Sequence, residues 1–359
     1  MRWCAALLAL GLAAQELPRG VVVERVQCAG NAQQSYALYL PAGYTPKQKW
    51  PILFCFDPGA RAKVPVERFA QAAEKHGFVV VASYNSRNGP MEPIREALDS
   101  LLRDVSLRFA IDEKRMFAAG HSGGSRVALQ WGESGQLAGV VACGAAFERE
   151  VPKRFSAPVF VAAGRDDFNY HELHALSVEL SRRQVRSRFV EFDGGHQWLP
   201  EALTGEALAF LSGNLEARPA LDSKEERRRQ ERYERLASEL VAANAVRQEK
   251  LVARLKSDSA ADADSPDRRT ARQVLAWVTI RSTEESRRLL AARQYREAAA
   301  VLETAVLVHP ESSFYWFSLA EALAGTGDGK RARAALDQAE KLGFRDETRL
   351  AELRGRLKK

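Results

Sequence analysis

The run R-M-F-A-A-G-H-S-G-G, residues 115–124, decides the reading of this chain. Arg115–Ala119 is a short apolar stretch that predicts a strand, and a helix is expected to open near Gly124. Between them Gly120-His121-Ser122-Gly123-Gly124 spells G-x-S-x-G. Glycines at 120 and 124 permit a tight strand-to-helix turn that leaves no room for side chains beside the serine. Such a turn lifts Ser122 above the sheet at a helix N-terminus, where partial positive charge favours a developing anion. A serine that merely caps a helix on a glycine-rich turn is the competing reading.

The rest of the chain argues against a mere cap. P-V-F-V-A-A-G-R-D-D from Pro158 ends a strand-like run on two acids, and F-V-E-F-D-G-G-H from Phe189 ends the last such run on His196. A nucleophile on this kind of turn needs an acid and then a histidine, each after a later strand. Counting from Gly164, G-x-x-D spacing selects Asp167, with Asp166 capping the turn; the reverse assignment remains open. The other histidines fit poorly. His121 is inside the turn, His171 and His174 lie on the helix after the acid, His76 ends an early helix, and His309 is far downstream.

Working outward, residues 20–214 alternate short apolar runs with helix-length amphipathic stretches. Eight strands are expected, near Val21, Ser35, Pro51, Phe78, Arg115, Ala138, Pro158 and Arg188. Several are apolar at every position, as strands buried on both faces must be. Helices are expected over 66–75, 94–109, 124–132 and 172–183. That alternation implies a mostly parallel sheet with helices on both faces. No helix separates the first two strands, so they are expected to pair as an antiparallel hairpin.

The chemistry follows from these residue types. A serine hydroxyl is a weak nucleophile until a base takes its proton, the role expected of His196, with Asp167 holding the imidazole tautomer. The tetrahedral oxyanion needs backbone N–H donors. Gly123 is one candidate, and Gly59 or Ala60, in the loop Asp57-Pro58-Gly59-Ala60 after the third strand, is the other; Pro58 has no N–H to give. No metal-ligand cluster and no glycine-rich phosphate loop stands out elsewhere, and no cofactor or metal is expected.

With these residues in hand, residues 20–214 resemble the α/β-hydrolase superfamily, in particular small bacterial esterases of the polyhydroxybutyrate-depolymerase, feruloyl-esterase and carboxylesterase type. The features that carry the resemblance are Y-A-L-Y-L-P-A-G-Y at 36–44, the G-H-S-G-G turn, G-R-D-D-F-N-Y at 164–170 and G-G-H-Q-W at 194–198. Many members have His-Gly in the loop after the third strand, where this chain has Asp57-Pro58-Gly59. The resemblance implies an ester substrate, small or attached to a polymer, cleaved through an acyl-enzyme. The stretch 143–157 is too short for a lid domain. A serine peptidase of the same fold is one alternative; a catalytically idle scaffold for a protein-interaction domain is another.

Beyond residue 214 the character changes. A charged helix and flexible linker are expected over 215–267, with a sparse apolar seam at Leu236, Leu240, Val241 and Leu251 and the small, acidic stretch 257–267 as the linker. In the region 268–359 a repeat is visible at a spacing of 34 residues: Ala298, Leu302 and Ala305 answer to Ala332, Leu336 and Ala339. With Trp316, Leu319, Ala320, Leu323 and Gly327-Asp328, residues 279–346 resemble tetratricopeptide repeats, although Ser282 stands where the first unit should carry Trp. The resemblance implies a possible protein partner through the repeats. The fold class expected is α/β, a mostly parallel α/β-hydrolase sheet without lid domain, followed by an all-α helical-repeat domain.

Arg2, an uncharged apolar stretch from Trp3 to Ala14 and small residues at Ala13 and Ala14 read as a signal peptide over 1–15, implying an exported, periplasmic or extracellular protein. No later stretch is long enough to span a membrane. The net charge of +7 is spread along the chain, 25 Lys/Arg against 23 Asp/Glu up to residue 220 and 28 against 23 beyond it. Neither part forms the basic stripe that nucleic-acid binding uses. Of the four cysteines, Cys55 and Cys143 sit in strand-like runs and read as small core residues rather than a disulfide framework.

Overall fold

The computed structural model describes residues 17–261 and 264–357. The expected signal peptide and Cys4 lie outside the described residues. The chain opens with β1 (Val22–Cys28) and β2 (Asn31–Tyr39), followed by β3 (Trp50–Phe56), α1 (Lys63–His76), β4 (Val79–Ser83) and α2 (Met91–Arg108). Next come β5 (Ile111–His121), α3 (Gly123–Gly132), β6 (Gly139–Cys143) and β7 (Val159–Gly164). This part closes with α4 (Tyr170–Arg182), β8 (Ser187–Phe192) and α5 (Glu201–Leu211). The eight strands make one sheet in the order β1-β2-β4-β3-β5-β6-β7-β8. β1 and β2 form the antiparallel hairpin, β2 runs antiparallel to β4, and the strands from β4 through β8 are parallel.

The all-apolar strands are buried on both faces, and their period of two divides the core. Ile52, Phe54, Val79 and Val81 face one side, with Leu101 of α2, Leu129 of α3 and Leu176 of α4. Leu53, Cys55, Val80 and Ala82 face the other, with Phe69 of α1 and Leu208 of α5. Alternation thus puts each successive side chain into a different layer. Cys28, Cys55 and Cys143 are buried and unpaired. Burial raises the thiols of Cys55 and Cys143 far above their ordinary range and that of Cys28 to about 11.

The helical part comprises α6 (Lys224–Ala242), α7 (Ala245–Ser259), α8 (Pro266–Ala291), α9 (Tyr295–Val308), α10 (Ser313–Thr326), α11 (Gly329–Lys341) and α12 (Glu347–Leu357). Two sequence expectations change here. The charged stretch is not one long helix: α6 ends at Ala242 with extended Ala243 after it, and Asn244 caps α7 by accepting from Arg247 N–H at 3.0 Å. The expected linker is also shorter than its composition suggests: α7 runs to Ser259, and Ser265 caps α8 with Pro266 at its start. Ser265 and Pro266 serve here as helix punctuation.

Leu236, Leu240 and Leu251 are buried with Val252, Val274 and Val278 in a core shared by α6, α7 and α8, whereas Val241 of the expected seam is exposed. The repeat positions Ala298, Leu302, Ala305, Ala332, Leu336 and Ala339 are all buried in a second core, which Leu289 of α8 joins. α8 therefore serves both cores. Its 26 residues span about 39 Å at the helical rise. Among the described residues no helix is long and apolar enough to cross a membrane.

Candidate active site

The site lies at the carboxyl ends of the parallel strands, where open α/β sheets gather their functional loops. β5 runs straight into the turn at Ser122, which adopts φ 54° and ψ −125°, a conformation L residues rarely take. The flanking glycines are demanded by contact. A Cβ on Gly120 would stand 2.0 Å from the carbonyl oxygen of Gly124, and one on Gly124 would stand 2.0 Å from that of Phe56. The Ser122 N–H donates to Cys143 O at 2.9 Å, tying the turn to the end of β6.

Around that turn three side chains meet. His196 Nε2 is 2.8 Å from Ser122 Oγ, and His196 Nδ1 is 2.9 Å from Asp167 Oδ1. Asp167 is fully buried, and the same oxygen accepts the Asn169 N–H at 2.9 Å. An ionised carboxylate can only accept, so Nδ1 carries the proton and Nε2 presents its lone pair to the serine hydroxyl. The neighbouring acid points elsewhere: Asp166 Oδ2 accepts from Arg272 Nη1 of α8 at 2.9 Å. Phe168 and His121 pack against the His196 ring, with centroids 4.4 and 4.7 Å away. His121 is buried, with neither ring nitrogen hydrogen-bonded among the described residues. Burial, aided by the nearby His196, pushes its pKa down to about 3.

The loop after β3 differs from the sequence reading. The Gly59 N–H donates to Asp57 Oδ1 at 2.9 Å, and the Ala60 N–H to Asp57 O at 3.0 Å. Both expected oxyanion donors are therefore engaged within their own loop. Asp57 is the cause, since a carboxylate at this position folds the following residues back onto itself. Arg61 also grips it through Nε and Nη2, both at 2.9 Å, and Trp198 Nε1 donates to Oδ2. Burial works against its charge, but the hydrogen bonds from Arg61, Trp198 and Gly59 outweigh that and hold the carboxyl below its usual range.

Gly123 stands as expected at the first turn of α3, where a backbone N–H has no intrahelical acceptor. Beside it lies a residue that sequence reasoning missed. A Cβ on Gly123 would fall 1.8 Å from Asn88 Oδ1, so the Asn88 carboxamide rests directly on this glycine. The Asn88 N–H donates to Pro58 O at 2.9 Å, pinning it to the loop after β3. A cavity of about 330 Å³ opens over Ser122, lined also by Asn88, Arg126, Asn169 and, from α8, Ile280 and Glu284. Arg126 faces Glu172 at 3.4 Å, whose carboxyl burial raises above its ordinary value. Among the described residues no group of His, Cys, Asp and Glu side chains could hold a metal ion.

The strand order, the turn and the loops after β7 and β8 are those of the α/β-hydrolase fold, here followed by an all-α tetratricopeptide-repeat region. Residues 289–357 match the Tetratricopeptide repeat family. No curated protein sequence matches the chain. Among solved structures, a ferulic acid esterase is similar at TM-score 0.44 and 16% identity, over 54% of this chain and 98% of its own. An S-formylglutathione hydrolase from Staphylococcus aureus is similar at TM-score 0.43 and 15% identity, over 54% and 97%. An α/β hydrolase from the metagenome of Lake Arreo, Spain, is similar at TM-score 0.44 and 17% identity, over 56% and 84%.

Proposed function

We propose that this chain is a serine hydrolase that cleaves carboxylic esters through an acyl-enzyme intermediate. The observation that carries the reading is the continuous line from Asp167 through His196 to Ser122, at 2.9 and 2.8 Å. Ser122 Oγ attacks the ester carbonyl carbon while His196 Nε2 takes its proton. The tetrahedral intermediate collapses, the C–O bond to the alcohol breaks, and the imidazolium returns the proton to the departing oxygen. Water, deprotonated by the same nitrogen, then releases the acid and restores Ser122. Asp167 stabilises the imidazolium in both halves without itself taking a proton.

The Gly123 N–H is the backbone donor for the oxyanion, assisted by the helix N-terminus. With Gly59 and Ala60 engaged, the second donor is assigned to Nδ2 of the Asn88 carboxamide, whose Oδ1 lies toward Gly123. The test is labelling of the purified chain by a fluorophosphonate probe, with p-nitrophenyl acetate turnover alongside. Labelling and turnover that vanish in Ser122→Ala support the reading; a folded wild type that neither labels nor turns over rejects it.

A further inference from the structure

We propose that α8, the helix leading into the repeats, is the specificity wall of the catalytic cleft and confines it to compact esters. This rests on the serine-hydrolase reading of the same site. The helix is fastened beside the acid of that site at its first turns. Arg272 pairs with Asp166, and Gln273 Nε2 donates to Arg165 O at 2.9 Å, so the two residues preceding Asp167 are both held by α8. Gln273 is fully buried in this contact.

From there the helix carries a fixed stripe. Residues seven and eleven positions on return to nearly the same face, so Gln273, Ile280 and Glu284 lie in line, with Ile280 about 10 Å along the axis. Ile280 and Glu284 are the α8 residues that line the cavity over Ser122. Ile280 is one of few large apolar side chains left exposed, at 36%, and it lines the cleft together with Met91, Ile94, Val127 and Phe168. An apolar side chain kept at that place has the approaching substrate as its available partner.

The volume, about 330 Å³, sits at the lower end of ordinary ligand pockets. Ser86 and Gln130 on its lining offer hydrogen bonds that a long alkyl chain could not use. The substrate class that fits is an ester with a short acyl group and polar substituents, closed on one side by Ile280.

The experiment compares the full-length wild type with Ile280→Ala and Ile280→Trp on p-nitrophenyl acetate, butyrate and octanoate. A hydrophobic wall discriminates by about tenfold or more per methylene at a tight contact. The wild type is expected to lose kcat/KM steeply from butyrate to octanoate. Ile280→Ala is expected to raise the octanoate-to-acetate ratio of kcat/KM by about tenfold, and Ile280→Trp to lower the butyrate-to-acetate ratio. Three proteins with one and the same chain-length profile overturn the inference while leaving the hydrolase reading intact. A wild type inert toward all three esters and toward a fluorophosphonate overturns both. Urea unfolding of each variant, expected near the wild-type midpoint because Ile280 is partly exposed, separates a change of wall from a loss of fold.

Discussion

Trp198 donates its indole N–H to Asp57 Oδ2 at 2.9 Å, and through this bond the loop after β3 is joined to the segment that carries His196. The two residues are 141 positions apart, and the acceptor is a buried carboxylate. A hydrogen bond to a charged group is worth about 1.5–3 kcal/mol. Trp198→Phe keeps an aromatic ring beside Phe69 and removes the donor together with part of the indole. Its unfolding free energy in urea is expected to fall by that amount, and ester turnover to fall further than stability alone explains, because both loops lose their common anchor. A variant equal to wild type in both would show that the bond holds nothing in place.

Gly123 and Asn88 form a second coupled pair. Asn88→Ala is expected to lower kcat by about 10²–10³ with little change in KM, as loss of one oxyanion donor does. Gly123→Ala must displace the Asn88 side chain, since the new Cβ would overlap it. It is therefore expected to show a similar loss, and adding Asn88→Ala to it should produce little further effect. Steady-state kinetics of the two single variants and the double variant decide this; additive losses would mean that the residues act separately.

The adjacent acids should separate cleanly. Asp167→Asn is expected to cut kcat by about 10⁴, the loss that follows when a histidine is held in the wrong tautomer. Asp166→Asn breaks a partly exposed pair with Arg272. Its effect on p-nitrophenyl acetate is expected to stay within about tenfold, in keeping with the modest worth of such pairs. Equal losses in the two variants would remove the distinction drawn from the hydrogen bonds.

His121 sets an acid limit on stability. The unfolded chain protonates this residue below about pH 6.5, whereas the folded chain resists protonation until about pH 3. Between those values the unfolded state binds more protons, so stability rises with pH and falls as acid is added. Each pH unit in that window changes stability by up to about 1.4 kcal/mol through this residue alone. Urea unfolding between pH 4 and 7 is expected to show a shallower slope for His121→Gln than for wild type, and identical slopes would overturn the assignment.

Much of this was legible in the sequence because the signals were periodic and local. Several buried strands betrayed themselves by apolar residues at every position, and Ser122, Asp167 and His196 each follow a strand in chain order, which suggested that they meet. The 34-residue spacing did the same for Ala298 and Ala332. Asp57 was readable in principle: Asp-Pro-Gly is a turn signal, and an Asx-type turn consumes the N–H groups that follow it. Asn88 and Ile280 could not be read, because their importance arises only from contact with Gly123 and with the cleft. Neither carries a local pattern that distinguishes it from any loop asparagine or any helical isoleucine.

α8 places Val274 and Val278 in one hydrophobic core and Leu289 in the next, while its first turns grip the loop of Asp167. The boundary between enzyme and repeat array is therefore not a seam along which the chain can be cut. Whatever reshapes this helix in the course of descent, or at an engineer's bench, reshapes the repeat stack and the lining of the cavity over Ser122 together. Grafting a foreign repeat array onto this sheet would mean keeping α8 or rebuilding one side of that cavity.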